Sequence, residues 1–193
     1  MKRLLSFVVI MTLGVATFSV QAQTNKEAEK AAKEQRKAQK KAQEALQNQI
    51  SFVEAAQAIK DQSFVVEANT LQNKIGRVFY VTPNTNFVSL HNGQATVQIA
   101  NNSSVYPGPN GLGGITVQGT ASGVKVTQDK KGNIYLNMSV QGVLISATVM
   151  VQLMQDSNKA TVTVDPNFSG NTLTLSGDLI PSSMSNIFQG STI

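Results

Sequence analysis

The stretch Ile134-Tyr135-Leu136-Asn137-Met138-Ser139-Val140, with Ile145-Ser146-Ala147-Thr148-Val149-Met150-Val151-Gln152-Leu153 close behind it, sets the fold class. Every second residue is apolar, the period of a β-strand with one dry and one wet face. The same rhythm recurs on both sides. Ala95, Val97 and Ile99 alternate with Thr96 and Gln98; Ala160, Val162 and Val164 with Thr161 and Thr163; Leu173 and Leu175 with Thr172 and Thr174. Further strands are expected over 64–68, 77–81, 86–90 and 115–127, the last broken near Gly119–Gly123. One wet face per strand is the mark of antiparallel sheet, because parallel strands are covered on both sides.

Turn chemistry supplies the connections. Asn92-Gly93 is the preferred two-residue hairpin turn, since both central residues must take positive φ. Asp129-Lys130-Lys131-Gly132 and Asp156-Ser157-Asn158 read as slightly longer hairpin loops. A meander of about eight or nine short strands hides its edges by curling, so the expected fold is mainly β, an antiparallel barrel or strongly curved sheet. Two segments break the rhythm. Asn101–Gly114 (NNSSVYPGPNGLGG) is a long glycine- and proline-rich loop, and such loops are commonly functional. The tail 181–193 has Met184, Ile187 and Phe188 at helical spacing, which predicts a short helix or cap over one end of the sheet.

Upstream of the sheet the composition changes. Residues 25–61 contain no Gly or Pro and are rich in Ala, Lys, Gln and Glu, all good helix formers. Thr24-Asn25-Lys26-Glu27 is a capping-box pattern. A seam at 3-4 spacing runs through Ala28, Ala31, Gln35, Ala38, Ala42, Ala45, Gln49, Phe52, Ala56 and Ile59. Its first half is too poor in apolar area for a strong dimer, so weak self-association through 24–61 is the most it predicts. Its second half carries enough apolar surface to dock on the following domain. Before the helix, Met1-Lys2-Arg3 and the uncharged run Leu4–Val20 have the form of a secretory signal, and Val20-Gln21-Ala22 places cleavage before Gln23. An uncleaved anchor is the alternative, but the run is short for a span and is diluted by Gly14 and Thr17. The expected organisation is a signal peptide at 1–22, a charged helix at 23–62 and a β domain at 63–193, exported to the periplasm or beyond, with no membrane span after cleavage.

Charge excludes one class of partner. The whole chain has 16 basic and 11 acidic residues, a net +5, yet from Ser63 onward there are six basic and five acidic residues. A nearly neutral domain has no field to steer polyanions, so nucleic acid is not an expected partner. With no cysteine, packing alone must hold the fold, and thiol chemistry is absent. His91 is the single histidine and sits beside the Asn92-Gly93 turn, where it reads as a surface residue without a second ligand for a metal. Of the five β-domain carboxylates, three fall in expected turns or loops; Glu67 and Asp178 lie in or beside strands, with no spacing that argues for a paired-carboxylate cleft. No nucleophile elbow, phosphate loop or zinc-protease motif is present.

The residues Ile59-Lys60-Asp61-Gln62-Ser63-Phe64-Val65-Val66-Glu67-Ala68, the Asn92-Gly93 hairpin, Asn110-Gly111-Leu112-Gly113-Gly114, the Asp129–Gly132 turn and Leu175-Ser176-Gly177-Asp178-Leu179 carry a resemblance. Over about residues 45–180 the chain resembles a domain-of-unknown-function family of secreted proteins from Bacteroides-type gut bacteria. The resemblance implies a periplasmic or surface location and a barrel-like antiparallel fold, and it carries no catalytic residues. The functional expectation is a non-catalytic envelope protein without cofactor or metal. It binds an envelope protein, or a small apolar or glycan ligand, through loop 101–114 and an open end of the sheet. Tyr106, Pro107, Asn110, Leu112, Tyr80 and Tyr135 are the candidate contacts. A lipocalin-like carrier of a small apolar molecule is the alternative, and an enzyme of unfamiliar type the third reading.

Overall fold

The computed structural model describes residues 5–100 and 108–192, with side chains from Glu29 onward. Among these residues a helix, α1 (Leu5–Lys60), precedes β1 (Phe64–Asn73), β2 (Val78–Tyr80), β3 (Phe87–His91), β4 (Gln94–Ile99), β5 (Ile115–Gln128), β6 (Ile134–Gln141), β7 (Ser146–Leu153), β8 (Lys159–Pro166) and β9 (Leu173–Pro181). All pairings are antiparallel. The order β1-β3-β4-β5-β6-β7-β8-β9 closes on itself through β1 and β9, giving an eight-stranded barrel, and β2 is an extra strand beside β1. β2 and β3 share one edge of β1: Thr70–Gln72 face β2 and Phe64–Glu67 face β3. Between them Pro83–Thr85 forms a single 3-10 turn, at a point where proline has no N–H to offer a ladder.

The alternation read from the sequence is the inside and outside of this barrel. Ile134, Leu136, Met138 and Val140 of β6 and Ala147, Val149, Val151 and Leu153 of β7 are buried in one apolar cluster, with Val162, Leu175 and Leu179 from the closing strands. Two irregularities keep the pattern in phase. In β1 the inward residues are Phe64, Val66 and Ala68, then Leu71, because a bulge against β9 falls between Ala68 and Thr70. In β5 they are Val117 and Ala121 and then Val124, the shift lying between Ser122 and Lys125 around Gly123 at φ 61°. Asn92 and Gly93 take φ of 51° and 75°, the hairpin geometry their pairing predicts.

α1 takes two characters. From Glu29 to Leu46 its side chains are exposed, with Lys40 and Glu44 paired one turn apart at 3.8 Å. That part belongs to a separate unit, Met1–Leu46. The unit that holds the barrel starts at Gln47, inside the helix. The reason is Phe52, Ala55, Ala56 and Ile59, spaced on one helix face and packed into the barrel cluster at the end where β1 begins. Among the described residues, no helix is long and apolar enough to cross a membrane. The tail departs from expectation. Only Ser182–Met184 turns, as a 3-10 turn, and the chain then runs extended, leaving Met184 and Phe188 exposed. Its backbone is held by Asn84, Gln98 and Asn110, so it straps the outer face of the wall instead of capping an end.

Ile59→Ala removes a side chain with no exposure from this junction. It is expected to lower barrel stability by about 2–5 kcal/mol. Leu46→Ala, on an exposed position, is expected to stay within about 0.5 kcal/mol of wild type in the same urea titration.

Candidate functional site

Three amides build the ground under the glycine-rich loop. Gln98 lies on the outward face of β4 and is fully buried. Its Nε2 donates to the carbonyls of Thr85 (3.0 Å) and Phe188 (2.8 Å), and its Oε1 accepts from Thr116 Oγ1 (2.8 Å) and the Gly190 N–H (2.8 Å). Asn110 Nδ2 donates to the Ile99 carbonyl (3.1 Å) and Thr116 Oγ1 (3.2 Å), while its Oδ1 accepts from the Leu112 and Gly114 N–H groups, both at 3.0 Å. Asn86 donates to Thr82 O at 3.1 Å and accepts from the Ala100 N–H at 2.8 Å. Such groups are buried only because their hydrogen-bonding capacity is met. A Cβ on Gly190 would collide with the Asn110 carbonyl, so this position must be glycine for the tail to lie against the loop.

The sequence candidates therefore divide. Asn110 is a structural brace whose amide has nothing left for a ligand, and Leu112 is half-buried beside it. Tyr106 and Pro107 lie outside the described residues. Tyr80 stands on β2 with 89% of its surface exposed. Tyr135 is elsewhere: its hydroxyl donates to Asp129 Oδ2 (3.2 Å) at the β5–β6 turn, on the helix side of the barrel. Asp129 also accepts from Lys131 N–H (2.8 Å), Asn133 N–H (2.9 Å) and Asn133 Nδ2 (2.8 Å). Those bonds, chiefly the Asn133 side chain, hold its carboxyl below the ordinary value of 3.8, while desolvation and then the Asp129 charge push the Tyr135 phenol above 10.

Two constellations with possible chemistry are also spoken for. Ser63 Oγ and His91 Nδ1 are 2.9 Å apart, but among the described residues no carboxylate is bonded to the imidazole, and the contact ties the helix–β1 link to the β3–β4 hairpin. His91 borders an outer-wall cleft of about 420 Å³ shared with Val65, Ser89, Thr96, Ser185 and Ile187. Glu67 and Asp178 are direct cross-strand neighbours between β1 and β9. Glu67 accepts from Ser185 Oγ at 2.8 Å and Asp178 pairs with Lys159 at 2.6 Å, so both carboxylates are engaged on the outer wall. Inside, Phe64, Leu90, Leu136, Leu153, Leu175 and Leu179 have no accessible surface at all. A void wide enough for water would give its walls such surface, so the barrel is filled beside all of them.

What remains open is the rim opposite α1. Consecutive turns there present Ile75 (77% exposed), Val143 (95%) and Phe168 (91%), with Leu144 next to Val143, while Tyr80 lies on β2 opposite Thr70. Asn167 bonds Ser146 through both its N–H and its side chain at 2.9 Å, setting the β8–β9 loop against the β6–β7 turn. On the other side, Ile75 and Lys74 share a cleft of about 440 Å³ with Asn171–Leu173. These residues are not singled out by strand periodicity. Their signal is a large apolar residue within a turn, as in Lys74-Ile75-Gly76, Gly142-Val143-Leu144 and Asn167-Phe168-Ser169-Gly170.

Fold and site define a small, filled antiparallel β-barrel with an N-terminal helix and an exposed apolar rim. The family described as Domain of unknown function (DUF4251) matches residues 46–179, and the chain belongs to it. A DUF4251 family protein from Bacteroides eggerthii DSM 20697, known from its crystal structure, is 49% identical, with a TM-score of 0.63 over 75% of this chain and 96% of that one. No curated protein matches. The resemblance carried by the turn and strand motifs over about 45–180 is thereby borne out.

Two substitutions check the braces. Asn110→Ala strands several buried partners and is expected to cost about 1–3 kcal/mol in denaturant unfolding. Asp129→Asn removes a carboxylate whose pKa is depressed in the fold. The stability this group contributes is present above its unfolded value near 3.8 and is lost as pH falls through the lower folded value. Acid unfolding of the variant is expected to lack that component, and absorbance titration is expected to show Tyr135 ionising at lower pH than in wild type.

Proposed function

We propose that this is an exported, non-catalytic binding protein of the cell envelope, which meets its partner through the barrel rim opposite α1. The observation that carries the reading is the exposure of Ile75, Val143 and Phe168 on neighbouring turns. Several large apolar side chains left in water on neighbouring turns mark an interaction site on a folded protein. Export is supported by the basic start and apolar run of the first 22 residues. The barrel wall favours water outside: Thr161, Thr163, Thr174 and Ser176 alternate outward against buried Val162 and Leu175, the reverse of a transmembrane barrel. A lipocalin-like carrier shares the architecture, but the filled interior weighs against cargo in the barrel. Non-catalytic action is supported by carboxylates engaged in turn bracing or ion pairing.

Intact mass of the protein recovered from the envelope tests export, with a chain starting at Gln23 as the expected result and a chain retaining Met1 as the contrary one. Photo-cross-linking residues placed at Ile75 and Phe168 in growing cells are expected to give adducts, and the same residue at Lys130 or Thr163 is not. Equal labelling at all four positions would remove the rim from consideration.

A further inference from the structure

The two ends of the barrel differ in charge. On the helix side the turns and strand ends carry Asp61, Asp129, Lys130, Lys131, Asp156 and the Lys159–Asp178 pair. On the rim, the described turns 74–77, 82–86, 108–114, 142–145 and 167–172 contain Lys74 and Arg77 and no carboxylate. Asp165, one residue before the end of β8, stands at the edge of the rim and accepts a hydrogen bond from Thr172 Oγ1 at 2.8 Å, which leaves the two cations in excess there. The apolar residues of the rim stand on separate turn tips rather than in a groove. A rigid protein partner would need a matching socket for each protruding side chain. The boundary between lipid headgroups and acyl chains needs none, because it is fluid.

We infer that the rim is a shallow membrane-docking surface, with Ile75, Val143, Leu144 and Phe168 entering the apolar boundary of an anionic bilayer while Lys74 and Arg77 meet its phosphates. This names the partner of the rim and rests on the reading of that rim as the binding face. Charge and apolar area act together here, since few apolar side chains or few cations alone hold a protein on a membrane only weakly. The β1–β2 hairpin carries both in one unit. Arg77 lies over the Phe79 ring at 5.3 Å, and Tyr80 beside it is 89% exposed, an aromatic pair suited to the headgroup level.

The experiment is co-sedimentation of the protein, as cells make it, with vesicles of phosphatidylglycerol and phosphatidylethanolamine, and with neutral phosphatidylcholine vesicles. Wild type is expected to sediment with the anionic vesicles and to be released by salt. Phe168→Ser with Val143→Ser is expected to lower partitioning about ten-fold or more. Lys74→Glu or Arg77→Glu is expected to lower it about five-fold or more each, and Lys130→Glu with Lys131→Glu to leave it unchanged. An unchanged denaturation midpoint shows that the rim variants still fold. Binding that survives the Phe168 and Val143 changes overturns the inference and assigns lipid affinity to the basic helix. Wild type that stays in the supernatant while Phe168 cross-links a polypeptide in cells also overturns it, yet leaves the rim as a binding face. Loss of both signals ends both readings.

Discussion

Closure of the sheet through β1 and β9 is the constraint on which the other features depend. The two strands are in register from Phe64 opposite Pro181 to Asn73 opposite Leu173, and without this seam each would be an open edge. The seam demands a close approach at Gly177, where a Cβ would run into the Glu67 carbonyl. It also demands the bulge after Ala68, which lets β1 bend and still turn Leu71 inward. Once the wall is closed, one residue in two has only the interior to occupy, and the apolar set fills it. The helix then covers the end where β1 starts, because Ile59 and Phe52 find the same cluster.

A second constraint is polar. Gln98, Asn86 and Asn110 are buried on the outer wall, where an unmatched amide would be costly. Their partners come from four places: the 3-10 turn before β3, the ends of β4 and β5, the glycine-rich loop and the tail. No part of this arrangement can leave without stranding the others, so the tail becomes a strap over one side of the barrel. Residues 108–114 are thereby a fixed part of the rim, while the turns at 142–145 and 167–172 project from it with their apolar residues in water.

The outcome is a barrel with two unlike ends. One is covered by a helix and carries charges of both signs, including the Asp129 turn, whose hydrogen bonds depress its own carboxylate. The other bears apolar tips and two cations.

Much of the wall was legible in the residues themselves. Period-two runs located the strands, Asn92-Gly93 located a hairpin, and Phe52, Ala56 and Ile59 announced a docking face, because strand pleat, turn conformation and helix period are local properties of the chain. The site was less legible. Asn110 read as a ligand contact and is a brace, since a fully used amide has the same letter as a free one. Tyr135 and Asn110 read as parts of one site and sit in different networks, because neighbourhood around a barrel depends on closure. The helix expected over Met184, Ile187 and Phe188 gave way to an extended strap, whose backbone found partners in Asn84 and Gln98 that lie far off in sequence. The sequence by itself determined which segments extend, where they turn and which side of each is dry. Only the tertiary structure decided that β1 meets β9, that the interior is full and that the apolar turn residues share one rim, because those outcomes rest on contacts between distant segments that no local period encodes.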